Sequence, residues 1–363
     1  MKLRKLVTLG GITLGALGLG MAIKSLMPQH FATFPPQDIW DEAKESTPLD
    51  ISTFPAIEVS FLRCGSIAIP ELVAVRGAFS LAPRVISHSA VLIRHPKATF
   101  LYDTGLSSAI FTYLADQSLF FRKTLANFQL EQSLGSHLQS RGIQQSEIET
   151  QSNNDAGASR IRSVAQRGRL DFVLLSHLHW DHVSGIPDIP TVPLRINRVE
   201  YDAAQSGLLD ANNGLVRRLM GNNPIDLFDC AGPPYQGFRC SLDLFGDGSV
   251  VLVPLPGHTA GNTGMFINRS NGRIFLLGDA AWVSENYLRP ATMHPFIWSA
   301  VTSDDATARQ TLIELHHFAR RHPEIPLIAM HDAEMQEKFM RTERQIQAAQ
   351  REQGVESGYN NTD

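Results

Sequence analysis

Between residues 57 and 102 the apolar positions fall in short runs, at Ile57 to Leu62, Ala90 to Ile93 and Thr99 to Tyr102, each bounded by turn or charged residues. Runs of this length predict buried strands. From Leu106 to Ile143 the spacing changes: Leu130, Leu134 and Leu138 recur at every fourth residue, which predicts helix ending near Gly142. Residues 148–168 are polar and aperiodic and read as an exposed loop, and Phe172 to Leu175 resumes as strand. The second half repeats the order, with strands at Val250 to Val253, Gly264 to Ile267 and Ile274 to Leu277, a helix at Ala306 to Arg320, and a strand within Ile325 to Met330. Strands then helix, twice, predict an α/β fold built as an αβ/βα sandwich. No short-period repeat interrupts it.

The ends depart from this pattern. Lys2, Arg4 and Lys5 precede an uncharged run from Leu6 to Ile23 that Lys24 closes. Such a segment predicts a hydrophobic helix at residues 1–27 acting as a signal peptide or membrane anchor. As a helix the run would rise about 27 Å, marginally enough for a bilayer core. Gly20 and Ala22 have the spacing of a cleavage site, so anchor and cleaved signal both stay open. Gly11 and Gly15 form a weak helix-pairing motif. The flanking cations stay cytoplasmic, which places everything after Lys24 on the non-cytoplasmic side, exported across or anchored in the cytoplasmic membrane through residues 6–23. Residues 28–55 read as a tether, 56–345 as the main folded domain and 346–363 as a polar tail.

Composition adds limits. The 363 residues are 43% hydrophobic and 19% charged, ample for a large core, and the net charge of -4 gives no field suited to nucleic acid. Of three cysteines, Cys230 and Cys240 lie close enough in sequence to close a disulfide in an oxidising compartment, with buried reduced thiols the alternative.

The chemistry concentrates in Leu174-Leu175-Ser176-His177-Leu178-His179-Trp180-Asp181-His182, an apolar strand ending in four potential metal ligands. Alternate residues of extended chain point the same way, so His177 and His179 can grip one ion while Asp181 and His182 turn toward a neighbour. Further on, His258, Asp279 and His331 each follow a predicted strand beside Gly or Asp. The remaining His30, His88, His95, His137, His294, His316, His317 and His322 lack that context and read as surface or packing residues, with His294 the one pocket candidate.

The HxHxDH segment resembles the signature of the metallo-β-lactamase superfamily, and the later motifs follow in the family's order: Pro256-Gly257-His258-Thr259-Ala260-Gly261-Asn262, Leu277-Gly278-Asp279 and Met330-His331-Asp332, with Tyr102-Asp103-Thr104-Gly105 upstream. The resemblance covers Ile57 to about Phe339. It implies a four-layer sandwich in which His177, His179 and His258 hold one ion, Asp181, His182 and His331 hold a second, and Asp279 bridges. Asp103 would support the ligand loop without binding metal. Two divalent ions would then share a hydroxide as nucleophile, with Asp181 relaying a proton. Imidazole and carboxylate donors without thiolate favour zinc, although iron, manganese or cobalt fit similar ligands.

The stretch Asp279-Ala280-Ala281-Trp282 to Glu285-Asn286, with His331-Asp332-Ala333-Glu334, is similar to the N-acyl homoserine lactone lactonases, which carry a substrate-binding tyrosine where this chain has Trp282. The resemblance therefore implies a small-molecule lactone or related carboxylic ester as substrate. A phosphodiesterase or thioesterase of the same superfold, or a metal-binding protein without turnover, are the alternatives. No lysine or serine follows His258 as a β-lactamase would require. Trp282 to Pro295 and Phe61 to Phe79 are the stretches expected to wall the pocket, and the 148–168 segment is either a surface insertion or a lid.

Overall fold

The computed structural model describes residue 27, residues 49–145 and residues 168–359. In chain order the strands are β1 (Glu58–Pro70), β2 (Pro83–His95), β3 (Ala98–Tyr102), β4 (Gln129–Leu130), β5 (Gln144–Gln145), β6 (Arg169–Leu170), β7 (Phe172–Leu175), β8 (Leu194–Asn197), β9 (Ile225–Phe228), β10 (Leu242–Asp243), β11 (Val250–Pro254), β12 (Thr263–Arg269), β13 (Gly272–Leu276) and β14 (Leu327–Ile328). One sheet has the order β4-β1-β2-β3-β7-β8-β9 and a second the order β10-β11-β12-β13-β14, while β5 and β6 pair separately. From β3 through β9 the first sheet is parallel, and β14 lies parallel to β13.

The period of two explains why these strands read as continuous apolar runs. Val91, Ile93, Phe100, Tyr102, Phe172 and Leu174 pack into one cluster with Val250, Leu252, Met265, Ile267, Ile274 and Leu276 of the opposite sheet. The alternate residues Ala90, Leu92, Leu101, Val173 and Leu175 face the other way, onto the helical layer that carries Ile110, Leu134, Leu138, Leu215 and Leu219. On the far side of the second sheet, Val251, Val253, Phe266 and Phe275 meet Leu312, Leu315 and Phe318 of helix Asp305–Arg321. Both faces of each sheet are covered, so both faces are apolar. This is the expected αβ/βα sandwich.

The single helix predicted between residues 106 and 143 is three short ones, Ile110–Leu114, Leu119–Thr124 and Leu134–Gln139, the last two started by Ser118 and Ser133, whose side chains accept from Phe121 N and Ser136 N. Helix Ala333–Tyr359 continues past residue 346, where the composition suggested a tail.

The expectation of membrane anchoring or export is corrected here. Among the described residues no helix is long and apolar enough to cross a membrane. A span needs about 20 apolar residues in a row, whereas the long helices carry charge throughout, such as Arg309, Glu314 and Arg320 in Asp305–Arg321. The hydrophobic run at 6–23 and most of the 148–168 segment lie outside the described residues. All three cysteines are free thiols, so Cys230 and Cys240 are not bridged.

Candidate metal centre

The ligand-type side chains gather where strands of both sheets end. The chain leaves β7 directly into Ser176-His177, His258 lies in the β11–β12 connection, Asp279 follows β13 and His331 follows β14. Strand ends, parallel in the first sheet and at β13–β14, are where irregular backbone is free to aim side chains at a common point. Two glycines make the close approach possible. A side chain on Gly278, at φ +55°, would meet Asn262 Oδ1 at 2.4 Å, and one on Gly257, at φ +122°, would meet the backbone of Ala308 at 2.2 Å.

Polar groups hold these loops in register. The buried Asp103 accepts Ser176 N through Oδ1 and both Ser176 Oγ and His182 Nδ1 through Oδ2, each at 2.8 Å. That bond leaves His182 Nε2 facing the cluster. Glu200, also buried, accepts Leu178 N and Gly261 N at 2.9 Å and so ties the HxHxDH segment to the His258 loop. Sequence reading passed over Glu200, because it sits alone in a helical stretch. His331 Nδ1 contacts the backbone oxygen of Ser87 at 2.7 Å, which turns its Nε2 inward.

Three sets of potential ligands result, each with its ligand atoms within 4.8 Å of one another: His177, His179 and His258; His177, His182 and Asp279; and His88, Asp181 and His331. His179 Nδ1 lies 3.1 Å from His177 Nε2 and 2.8 Å from His258 Nε2. Asp279 Oδ2 lies 3.4 Å from His258 Nε2 and 3.1 Å from His331 Nε2. The seven residues singled out in the sequence are therefore together.

The chemistry of this donor set fits divalent cations. His182 Nε2 and Asp279 Oδ1 face one another at 3.3 Å, both buried and neither hydrogen-bonded. Burial, reinforced by the neighbouring histidines, pushes the His177 imidazole well below its ordinary pKa and His258 down to about 3, so both are neutral and their lone pairs are free to ligate. At the acidic pole burial acts the same way on His182 and His331, but Asp279, then Asp103 and Asp181 for His182 and Asp181 for His331, outweigh it and raise both. That pole attracts positive charge, which a cation would supply in place of protons.

The cluster lies in the wall of a cavity of about 290 Å³. Ile67, Ile69 and Val73 come from the first stretch expected to wall a pocket and Trp282 from the second, while Phe61 is core and Phe79 is surface. His294 does not line the cavity. It caps helix Pro295–Val301, its Nδ1 accepting Phe296 N at 3.1 Å. Trp282 does line it, with its indole N–H donated to Asp279 Oδ2 at 3.0 Å. His88 is the principal correction. Read as a packing residue, it is buried in the cavity wall with Nδ1 at 3.5 Å from Asp181 Oδ2. Its signal was available: it shares the parity of the buried Ala90 and Leu92 on β2, a polar ring on an apolar face.

Residues 154–310 match the model of the metallo-beta-lactamase superfamily, and the two-sheet architecture is the metallo-beta-lactamase fold. The lactonase-like resemblance holds at the level of individual relatives. A "probable metallo-hydrolase" of Mycobacterium tuberculosis is 28% identical over 194 residues, covering 50% of this chain and 61% of its own length. N-acyl homoserine lactonase AttM of Agrobacterium fabrum is 27% identical over 173 residues, covering 46% and 60%. The chain thus spans about three fifths of the length of these curated relatives. Of solved structures, a Bacillus thuringiensis AiiA variant with N-decanoyl-L-homoserine at its active site superposes with a TM-score of 0.54 at 16% identity, over 78% of this chain and 96% of that one. At that identity the likeness shows the fold.

Proposed function

We propose that this protein is a metal-dependent hydrolase that opens a lactone or related carboxylic ester with a hydrophobic acyl part. One observation carries the reading: the His/Asp cluster stands in the wall of a cavity otherwise lined mainly by apolar side chains such as Ile86, Phe121, Leu215 and Val301, and no lysine or arginine is among its described lining residues. Such a wall suits an acyl chain and offers a phosphodiester's charge no cationic partner beyond the centre itself. The lactonase relatives support the same choice.

In this reading His177, His179 and His258 would hold one divalent cation and Asp181, His182 and His331 a second, with the Asp279 carboxylate as a further donor and zinc the expected metal. When bound, two such ions supply a water acidified toward neutrality and polarise the substrate carbonyl. The chain's own part is positional. Asp181 lies in the cavity wall, its side chain 14% exposed. Its carboxylate is held ionised: burial alone would raise its pKa, but His182, then His88 and His331, outweigh that and lower it. It is thus placed to take the proton of the attacking water and return it to the leaving alkoxide. In a lactone that alkoxide stays attached to the new acid. Trp282 contributes an aromatic wall and, through its bond to Asp279, fixes that carboxylate rather than presenting a free donor to substrate. Asp103 and Glu200 keep the ligand loops in place.

The test is a panel of short- and long-chain lactones, carboxylic esters, thioesters and bis-p-nitrophenyl phosphate, presented to the metal-loaded protein with acid release followed by a pH indicator. Turnover of lactones or esters is expected; turnover of the phosphodiester alone would overturn the assignment.

A further inference from the structure

We infer that His88 is a direct ligand, through Nδ1, of the cation placed at Asp181 and His331. The inference rests on the cluster binding two cations and adds to it a donor that none of the sequence motifs contains.

Three observations carry it. The first is distance. His88 Nδ1 is 3.5 Å from Asp181 Oδ2, which is itself 3.4 Å from His331 Nε2. Two donors each about 2.1 Å from one ion at a tetrahedral angle stand about 3.4 Å apart, so these separations are those of ligands sharing an ion. Second, His88 Nδ1 is buried without a hydrogen-bond partner. A buried nitrogen left unpaired costs free energy unless something fills the gap, and the atoms around it are a carboxylate and another imidazole's ligand atom. The ring stands edge-on to His331, centroids 5.5 Å apart at 85°, and edge-on to Phe128 at 5.4 Å, so its plane is fixed by packing.

The third observation is how the backbone aims it. Ser87 and Ser89 turn to the opposite face of β2, where their hydroxyls both bond Gln336 Oε1, at 3.1 and 2.9 Å. Alternation then directs His88 into the cavity. Its partner across the strand pair is Gly65, and the register shift between Arg63 and Gly65 falls at this step, as bulges do where a strand re-aims a side chain beside a site. The backbone oxygen of Ser87 meanwhile holds His331, so adjacent residues of one strand act on the same ion: one orients a ligand, the other is a ligand.

The test uses the full chain reconstituted with Co²⁺, as wild type, His88→Ala, His88→Gln and, as a control for disturbance of the strand, His95→Gln. The readouts are bound metal per chain, the affinity for the second equivalent, and the visible d–d spectrum, which reports the donors around cobalt whether or not substrate is known. Both His88 variants are expected to bind the second equivalent at least about 10- to 100-fold more weakly and to shift its band, while His95→Gln retains the wild-type spectrum. Folded His88 variants with wild-type second-ion affinity and spectrum would overturn the inference and leave the two-ion centre standing. Equal effects from His95→Gln would overturn it as strand distortion. A wild-type protein that takes up no second ion would remove both the inference and the two-ion reading.

Discussion

Replacing Asp103 by Asn is the most searching test of how the ligand loop is held, because it leaves the shape and changes the hydrogen-bond inventory. Three donors converge on the carboxylate at 2.8 Å: Ser176 N on Oδ1, and Ser176 Oγ and His182 Nδ1 on Oδ2. An asparagine retains one acceptor atom and brings an NH₂ group. If that NH₂ faces Ser176 N, two donors oppose each other in a buried site. If it faces His182, the imidazole must move its proton to Nε2, the nitrogen that points at Asp279 Oδ1. Either way the charged acceptor is lost, worth about 1.5–3 kcal/mol, and in the first orientation a buried donor is stranded as well, for a total near 3 kcal/mol. At roughly 2 °C or more per kcal/mol for a chain of this size, the metal-free protein should melt about 6 °C lower. Second-ion affinity should fall about 10- to 100-fold, as for removal of partners that orient metal-bound histidines. Thermal unfolding followed by circular dichroism and Zn²⁺ titration by isothermal calorimetry read the two effects. A melting temperature within 1–2 °C of wild type together with unchanged affinity would refute the role given to Asp103.

His258→Ala should abolish turnover and lower bound metal on elemental analysis, whereas His316→Ala, whose ring contacts the Tyr287 backbone oxygen at 2.9 Å and the His317 ring and belongs to none of the ligand sets, should do neither; equal effects would mean that the ligands are misassigned. Val301→Trp fills the apolar side of the cavity, and KM should rise severalfold for long acyl chains with little change for short ones; a uniform change would remove that wall from acyl binding. Stability should also depend on His95, remote from the centre. Burial pushes its pKa down to about 4, with Nδ1 accepting Lys97 N and Nε2 against Ser249 Oγ at 3.0 Å. A folded pKa below the unfolded value of about 6.5 means that the neutral ring stabilises the native state fully above that pH and loses its contribution as pH falls toward 4, by at most about 3 kcal/mol. Urea midpoints measured from pH 7 to 4 should fall less steeply in His95→Gln than in wild type, and parallel curves would remove His95 as the cause.

The sequence alone determined the layers and most of the centre, for a physical reason in each case. Strands covered on both faces are apolar throughout, so β3, β7, β11, β12 and β13 are visible as runs. Four ligands packed into His177–His182 are visible because spacing of two in extended chain is itself the geometry of the grip. Tertiary structure decided what depends on contacts between distant segments. Whether His88 faces the cavity or the core is set by the register of β2 against β1 and by Gln336, more than 240 residues away. Glu200 matters only because two loops 83 residues apart in sequence, at Leu178 and Gly261, both meet its carboxylate. The indole of Trp282 could have faced substrate, and the fold turns its N–H onto Asp279. His294, flagged by its proximity in sequence to the pocket wall, became a helix cap, because Pro295 starts a helix at that point and an N-terminal amide needs an acceptor.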